Sequence, residues 1–319
     1  MNDDFQTRLR ELLREELPCP GGGKTRVRHH QLMEIGRKDL SLARLAEAHY
    51  DAVAILAEAG QEAKPNIVYG VWASEKSGEE LSIIETEGGL RLNGKKMFCS
   101  GAQIVDRALV TAGGSTPLLI DVDLKANQDS LAYNHSEWKT KAFEKTGTAT
   151  VYFRDVRAFR KTVIGRPGWY LDRPGFWHGA CGPAACWTGG AAGLVDYALK
   201  QSRTDAHTLA HLGAMHASVW AARSFLDTAG DEIDTTVNDR ESALRRALTV
   251  RHLVEQSCTD VLQRFRRAYG PRPLAMDAEI GRRLQELELY LCQSHAERDL
   301  EALAKAVLRD HLRAEAAFC

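Results

Sequence analysis

The chain changes its hydrophobic pattern twice along its 319 residues, and this alternation constrains the fold more than any other feature of the sequence. Between about residues 65 and 160, short runs of β-branched and aromatic residues alternate with turn residues. Two of these turns, Glu87-Gly88-Gly89 and Asn93-Gly94-Lys95, have the composition of hairpin turns. Closely spaced strands with no helical segment between them predict an antiparallel β-barrel or sandwich.

Helical periodicity precedes and follows this β-rich segment. Apolar residues recur at three- and four-residue steps from Phe5 to Leu17 and again from Leu32 to Leu56, with Asp39 and Ser41 as capping residues and Gly60 as the end. Four longer helical stretches follow, at residues 180–201, 207–233, 244–269 and 278–308. Long antiparallel neighbours of this kind predict a helical bundle.

These patterns predict an α+β multidomain protein. Its three parts are N-terminal helices at 1–64, a central antiparallel β-barrel or sandwich at 65–162, and a C-terminal four-helix bundle at 163–319.

Composition excludes several classes of function. The 42 basic and 43 acidic residues leave a net charge of -1, which gives no reason to expect a nucleic-acid-binding face. No apolar run is long enough to cross a membrane, and the acidic N-terminus is not that of a signal peptide. Seven cysteines without a CxxC pair favour reduced thiols, so we expect a cytoplasmic protein.

No metal site is expected from the spacing of potential ligands. Cys181 and Cys186 lack a second ligand pair, and no acidic residue or further ligand is fixed by spacing beside His207, His211 and His216.

Several segments at the joints of these sections have distinctive residues. They lie at 37–60, 72–78, 87–102, 106–112, 153–157 and 164–168, and the most specific is 87–102, which reads EGGLRLNGKKMFCSGA. In their order and content they resemble the acyl-CoA dehydrogenase superfamily, over roughly residues 32–305. The resemblance implies an FAD-dependent enzyme with the helix–sheet–helix architecture predicted above.

The resemblance also implies which residues hold the flavin. Phe98 and Trp72 offer aromatic faces for the isoalloxazine ring, Ser74 and Ser100 offer hydroxyls, and Gly101 permits close approach of the backbone. By resemblance, Ser100 is the residue that hydrogen-bonds flavin N5, and Arg203 is a candidate partner of the pyrophosphate. The alternative interpretation makes Phe98 and Trp72 core residues, Ser100 a turn cap and Arg203 a surface residue.

The catalytic residues of the family are harder to find. The position of the usual catalytic glutamate aligns with Leu291-Cys292-Gln293, and its alternative position with Gly182-Pro183-Ala184, so neither is acidic. The section before the β domain is also shorter than the family usually has. We therefore keep three candidates for the base, without ranking them: Glu144, Glu286 and Glu297. His295 is a further candidate, because the segment 294–299 resembles the corresponding helix of flavin-dependent monooxygenases of the same fold, in which a histidine lies near the flavin. The alternative interpretation is a solvated or satisfied position on a helix.

Three functions remain open. The first is an FAD-dependent oxidoreductase that oxidises the Cα–Cβ bond of an acyl thioester, carried by CoA or a carrier protein, and passes electrons to an electron-transfer flavoprotein. The second is a flavin-dependent monooxygenase of the same fold, with Ser100 and His295 near the flavin. The third is a non-catalytic homologue that acts as a binding or scaffold protein. By resemblance, all three predict a homodimer or homotetramer.

Overall fold

The computed structural model describes residues 3–74, 78 and 80–318. Residues 75–77 of the segment 72–78, one of those that resemble the acyl-CoA dehydrogenase superfamily, therefore lie outside the described residues. The chain divides into two compact units, Met1–Leu17 with Arg44–Phe176 and Pro18–Ala43 with Trp177–Cys319. The predicted domain boundaries near residues 64 and 162 stay a prediction, because the two compact units do not show which segments fold independently. No helix in the described ranges is both long enough and apolar enough to span a membrane.

The first unit contains the strands. They are β1 Tyr69–Trp72, β2 Ser82–Thr86, β3 Gly89–Cys99, β4 Arg107–Ala112, β5 Leu118–Asp123, β6 Leu131–Asn134, β7 Ala149–Ala158 and β8 Val163–Ile164. One four-stranded sheet has the order β1-β4-β5-β8 and the other has the order β2-β3-β7-β6. All pairs are antiparallel except β1 with β4, where Tyr69 faces Arg107 in parallel register. The predicted α+β class is confirmed, with this one parallel pair added.

The helices of the first unit pack on one of these sheets. They are α1 Asp3–Leu12, most of α3 Leu40–Glu58, α4 Trp169–Asp172 and α5 Pro174–Gly179, of which the last three residues belong to the second unit. Ile55 and Leu56 of α3 form a core with Leu109, Leu119 and Tyr170. Burying side chains of this size contributes about 1.5–3 kcal/mol each, so this core fixes α3 against the sheet.

The second unit contains the long helices. They are α2 Thr25–Lys38, α6 Cys181–Leu199, α7 Ala206–Thr235, α8 Arg240–Tyr269, α9 Arg272–Met276, α10 Ala278–Leu291 and α11 Glu297–Phe318. Aspartates cap three of them, since the carboxylates of Asp205, Asp239 and Asp277 accept hydrogen bonds from backbone N–H groups in the first turns of α7, α8 and α10.

Two glycines let α2 and α6 approach at backbone distance. A Cβ at Gly36 would lie 2.5 Å from the carbonyl oxygen of Cys186, and one at Gly189 would clash with the carbonyl of Met33. The small-residue face of α6 is therefore used within the chain. The homodimer or homotetramer stays a prediction.

Three predicted elements were wrong in detail. The stretch 32–56 divides at Asp39, whose extended backbone ends α2 and whose carboxylate accepts the N–H groups of Ser41 and Leu42 to begin α3. The stretch 278–308 divides at residues 292–296, where Ala296 has a φ of 45°. Asn93-Gly94-Lys95 is not a turn, because β3 continues through it with a bulge, while the turn before Gly89 is confirmed.

Two buried histidines make the fold sensitive to acid. Burial lowers the pKa of His49 and that of His29 to about 4 from 6.5. The Nδ1 atom of His49 accepts the N–H of Tyr69, and the Nδ1–H of His29 donates to the carbonyl of Leu226. Both rings are therefore held neutral in the folded protein.

We expect the free energy of unfolding to fall between pH 6.5 and about pH 4, because in this range the unfolded chain binds protons that the folded chain does not. The loss should be about 2–3 kcal/mol for each histidine. Urea denaturation at a series of pH values measures it. His49→Asn, which keeps an acceptor near Tyr69 N–H, should flatten the slope, and the same change at exposed His207 should not.

Candidate functional site

The loop that ends β3 has an unusual backbone. Phe98 has a φ of 58° and Gly101 a φ of 75°, so left-handed residues stand on both sides of Cys99 and Ser100. The side chain of Phe98 is 58% exposed, although it is a large aromatic residue at the end of a central strand. A non-glycine residue in this conformation costs about 1–2 kcal/mol, which the rest of the loop has to offset.

Hydrogen bonds hold this loop in place. The indole N–H of Trp72 donates to the carbonyl of Ser100 at 3.0 Å, and the N–H of Gly101 donates to the carbonyl of Thr146 at 2.9 Å. Each contributes about 1 kcal/mol, so together they are comparable to the strain at Phe98.

The hydroxyl of Ser100 accepts a hydrogen bond. The Nε–H of Arg44 donates to it at 2.9 Å, and the hydroxyl of Thr148 lies 3.3 Å away. Thr148 is also 2.9 Å from the hydroxyl of Thr146, whose own hydrogen is donated to the carbonyl of Phe143 at 2.8 Å. The bond with Arg44 uses the oxygen of Ser100 and leaves its hydrogen for another acceptor.

Arg44 and Thr148 are the residues that sequence reasoning missed. The guanidinium of Arg44 lies 4.9 Å from the centre of the Phe143 ring, a cation–π contact that helps fix its position. Arg44 and Ser100 are 56 residues apart in the chain. No local periodicity could have paired them.

The structure brings four of the six predicted cofactor residues together. Trp72, Phe98, Ser100 and Gly101 form one loop region, but their surroundings differ. Trp72 is 3% exposed, so its ring face is covered and its indole supports the loop from beneath. A Cβ at Gly101 would lie 2.7 Å from Val105, which shows that this glycine is required by the packing of its own loop.

The other two predicted cofactor residues lie elsewhere. Ser74 is exposed beyond the end of β1, and its carbonyl accepts from the buried ammonium of Lys96 at 3.3 Å. Arg203 belongs to the second unit, where its guanidinium donates to Asp205 at 2.7 Å and to the carbonyl of Ala268 at 3.0 Å. The Thr208 hydroxyl and amide, with Arg203, hold the pKa of Asp205 well below its usual range. Arg203 therefore has a structural partner of its own.

The three candidate carboxylates differ in environment. Glu144 is exposed in a 3₁₀ turn and pairs with Lys141 at 2.7 Å. Glu297 is exposed in the first turn of α11. Only Glu286 is buried, at 1% exposed, and there it accepts from the hydroxyl of Ser41 at 2.7 Å and from Arg282 at 2.9 Å.

His295 lies in the connection between α10 and α11. Its side chain is 55% exposed, and its Nδ1 lies 3.3 Å from the carboxylate of Asp299. An imidazole oriented by a carboxylate in this way can exchange a proton through its other nitrogen. Gln293, which aligns with the missing glutamate, is exposed in the same connection.

The described parts of the chain contain no group of three or more His, Cys, Asp or Glu side chains that could hold a metal ion.

The comparisons identify the fold. No family model and no curated protein matches the sequence. Solved structures match over most of the chain at low identity. An FMN-bound TdsC from Paenibacillus sp. A11-2, also described as dibenzothiophene monooxygenase, aligns with a TM-score of 0.78 and 17% identity over 91% of this chain and 85% of that one.

Two further structures support the same assignment. KijD3 in complex with FMN and a dTDP-linked amino keto sugar aligns with a TM-score of 0.79 and 14% identity over 97% of this chain and 86% of that one. Methanesulfinate monooxygenase MsuC from Pseudomonas fluorescens aligns with a TM-score of 0.73 and 16% identity, over 91% and 84%. The chain thus has the acyl-CoA dehydrogenase fold, as its resemblance implied.

Two substitutions distinguish the cost of the left-handed backbone at Gly101 from the cost of packing against Val105. Gly114 has the same φ of 75° but no atom within 4 Å of an added Cβ. We expect Gly114→Ala to cost about 1 kcal/mol, from the backbone alone. Gly101→Ala should cost about 2–4 kcal/mol, because Val105 has to move as well. Urea denaturation measures both, and equal losses would show that packing around Gly101 is loose.

The burial of Glu286 also predicts a stability effect. Glu286→Gln should cost about 2 kcal/mol because it removes the nearer of the two carboxylate partners of Arg282, the other being Asp39 at 3.7 Å. The matched change at exposed Glu297 should stay within about 0.5 kcal/mol. Chemical denaturation of both variants checks this, and an unchanged stability for Glu286→Gln would remove the structural explanation for this carboxylate.

Proposed function

We propose that this protein is a flavin-dependent monooxygenase that uses reduced flavin supplied from outside the chain. One observation leads us to prefer a monooxygenase to an acyl-CoA dehydrogenase. Glu286 is the only buried carboxylate among the candidate bases, and it is held by Arg282 and Ser41. Removal of the α proton of a thioester requires a positioned carboxylate that is ready to accept it, and Glu144 and Glu297 are exposed to water.

The residues at the end of β3 fit a flavin. Phe98 presents an exposed ring, and an isoalloxazine needs such an apolar face. Ser100 has a hydroxyl hydrogen for an acceptor such as N5, because its hydrogen bond with Arg44 uses only the oxygen. When bound in reduced form, the flavin supplies the two electrons with which one atom of O₂ enters the substrate and the other leaves as water.

We assign the following roles to residues of this chain. Phe98 provides the stacking face, and Ser100 donates to the ring edge. Arg44 is a positioning residue, since it fixes the direction of the Ser100 hydroxyl without using that hydrogen. His295 belongs to the second unit, where Asp299 orients it, and its role in proton exchange stays a prediction from the sequence. TdsC and MsuC, which share the fold, are named as monooxygenases, and this supports the proposal.

Flavin titration with a matched pair of variants tests the site. Phe98→Ala should weaken the binding of reduced FMN about fivefold or more, since a stacking contact of this size is worth about 1 kcal/mol or more. Phe159→Ala, which removes another exposed phenylalanine of the same unit, should leave binding unchanged. Fluorescence measured anaerobically gives the dissociation constants. Equal effects of the two variants, or no binding by wild type, would contradict the proposed site.

Oxygen consumption tests the reaction. With photoreduced flavin, a substrate panel of dibenzothiophene, indole and methanesulfinate should include a compound that raises oxygen uptake and gains one oxygen atom by mass spectrometry. Ser100→Ala should lower this rate by about tenfold or more, and Ser100→Thr should retain it because the hydroxyl remains.

The same preparations separate the other functions. If an acyl-CoA bleaches bound FAD under anaerobic conditions, the result would support the first function, an acyl-CoA dehydrogenase that passes electrons to an electron-transfer flavoprotein. A protein that binds neither FMN nor FAD would favour the scaffold. FAD stays our sequence prediction, and Arg203→Ala should weaken FAD more than FMN if Arg203 reaches the pyrophosphate. A homodimer remains part of the proposal, and sedimentation measures it.

A further inference from the structure

A cleft of about 530 Å³ lies between α7 and α8 in the second unit. The two helices are antiparallel, because Ser218 hydrogen-bonds Asp260 while Glu232 pairs with Arg246. The cleft is near the connection between the helices, at the last turns of α7 and the first turns of α8. Its volume is in the range of small-molecule sites.

The cleft has an apolar end and a polar end. Phe225 and Ala229 of α7 face Val250 and Leu253 of α8 at the first end. Closer to the connection between the helices, the lining changes to Glu232, Thr236, Ser242, Arg245 and Arg246. A ligand that fits both ends has an apolar body and a polar head.

The polar end contains a buried cation with an unused donor. Arg246 is 8% exposed, and two of its nitrogens are occupied, Nε by Glu232 at 2.9 Å and Nη2 by Thr236 at 2.5 Å. Its Nη1 is buried and has no hydrogen-bond partner within the described residues. A buried donor left without an acceptor costs about 1–3 kcal/mol, and more on a charged group, so an anion that reaches Nη1 after a small movement of the lining gains that energy.

A second arginine lines this end, and like Arg246 it is paired with a carboxylate. Arg245 pairs with Asp310 of α11 and donates from Nη2 to the hydroxyl of Ser242 at 3.0 Å. Its guanidinium is therefore held in position at the lining. Two cationic side chains and one carboxylate, Glu232, line the cleft, and Glu232 is already engaged by Arg246.

We propose that this cleft binds a small amphipathic anion, with a carboxylate or a similar single anionic head at Arg246 and an apolar body against Phe225, Val250 and Leu253. The site is separate from the flavin proposal, since none of its residues belongs to the loop at Ser100. A carboxylate would accept from Arg246 through a charge-assisted hydrogen bond, and Phe225 would contribute an aromatic contact to the body.

Calorimetric titration with three probes tests the proposal on the full chain. 4-Phenylbutyrate has both head and body, 4-phenylbutan-1-ol lacks the charge, and inorganic phosphate lacks the body. We expect 4-phenylbutyrate to bind about tenfold or more tightly than either of the others, because both ends of the cleft contribute.

Three variants locate the binding. Arg246→Met should weaken 4-phenylbutyrate about tenfold or more and leave the alcohol unchanged. Thr249→Trp, at an exposed position of the lining, should fill the cleft and weaken both without touching the buried arginine. Arg267→Met, at an exposed arginine of the same helix, is the control and should change neither.

Several outcomes would overturn the proposal. Equal affinity for the acid and the alcohol would show that no anion site exists. Binding that survives Thr249→Trp would place the ligand elsewhere, even if Arg246→Met failed to fold. Absence of 4-phenylbutyrate binding to wild type would also refute it, including the case in which a second copy of the chain covers the cleft.

Discussion

The backbone at the end of β3 is the constraint on which the candidate site depends. Phe98 and Gly101 are left-handed, and this pair of reversals exposes one aromatic ring and aims one hydroxyl while Cys99 between them stays buried. A phenylalanine would not hold this conformation alone. The contacts of Trp72, Thr146 and their neighbours with the loop supply the free energy that offsets the strain.

The same principle, that long-range partners decide what a polar group can do, applies to the acids and bases. Ser100 has a hydrogen to donate because Arg44 donates to its oxygen. Glu286 is occupied because Ser41 and Arg282 donate to it. This contrast is the physical basis on which we propose oxygen chemistry rather than proton abstraction.

Local patterns predicted much of the fold. The strands are short β-branched runs, α7 and α8 keep their apolar periodicity to within a few residues of the predicted ends, and Gly60 ends α3 as expected. The errors have local causes that depend on distant partners. Asn93-Gly94-Lys95 resembles a turn, but Asn93 accepts the N–H of Asp155, and β7 holds the segment as one bulged strand. The strand β8 was missed because it has only two residues, and β6 was missed because Leu131–Asn134 contains no β-branched residue.

By itself, the sequence determined the order of helices and strands, the caps, the resemblance to the acyl-CoA dehydrogenase superfamily and the loop in which the candidate site lies. These properties depend on neighbours within a few residues, and a sequence displays them directly. Only the tertiary structure decided that Trp72 is covered while Phe98 is exposed, that Arg44 serves Ser100, and that Glu286 is already paired. Ser41 and Glu286 lie 245 residues apart, and only packing of the folded chain selects such a pair.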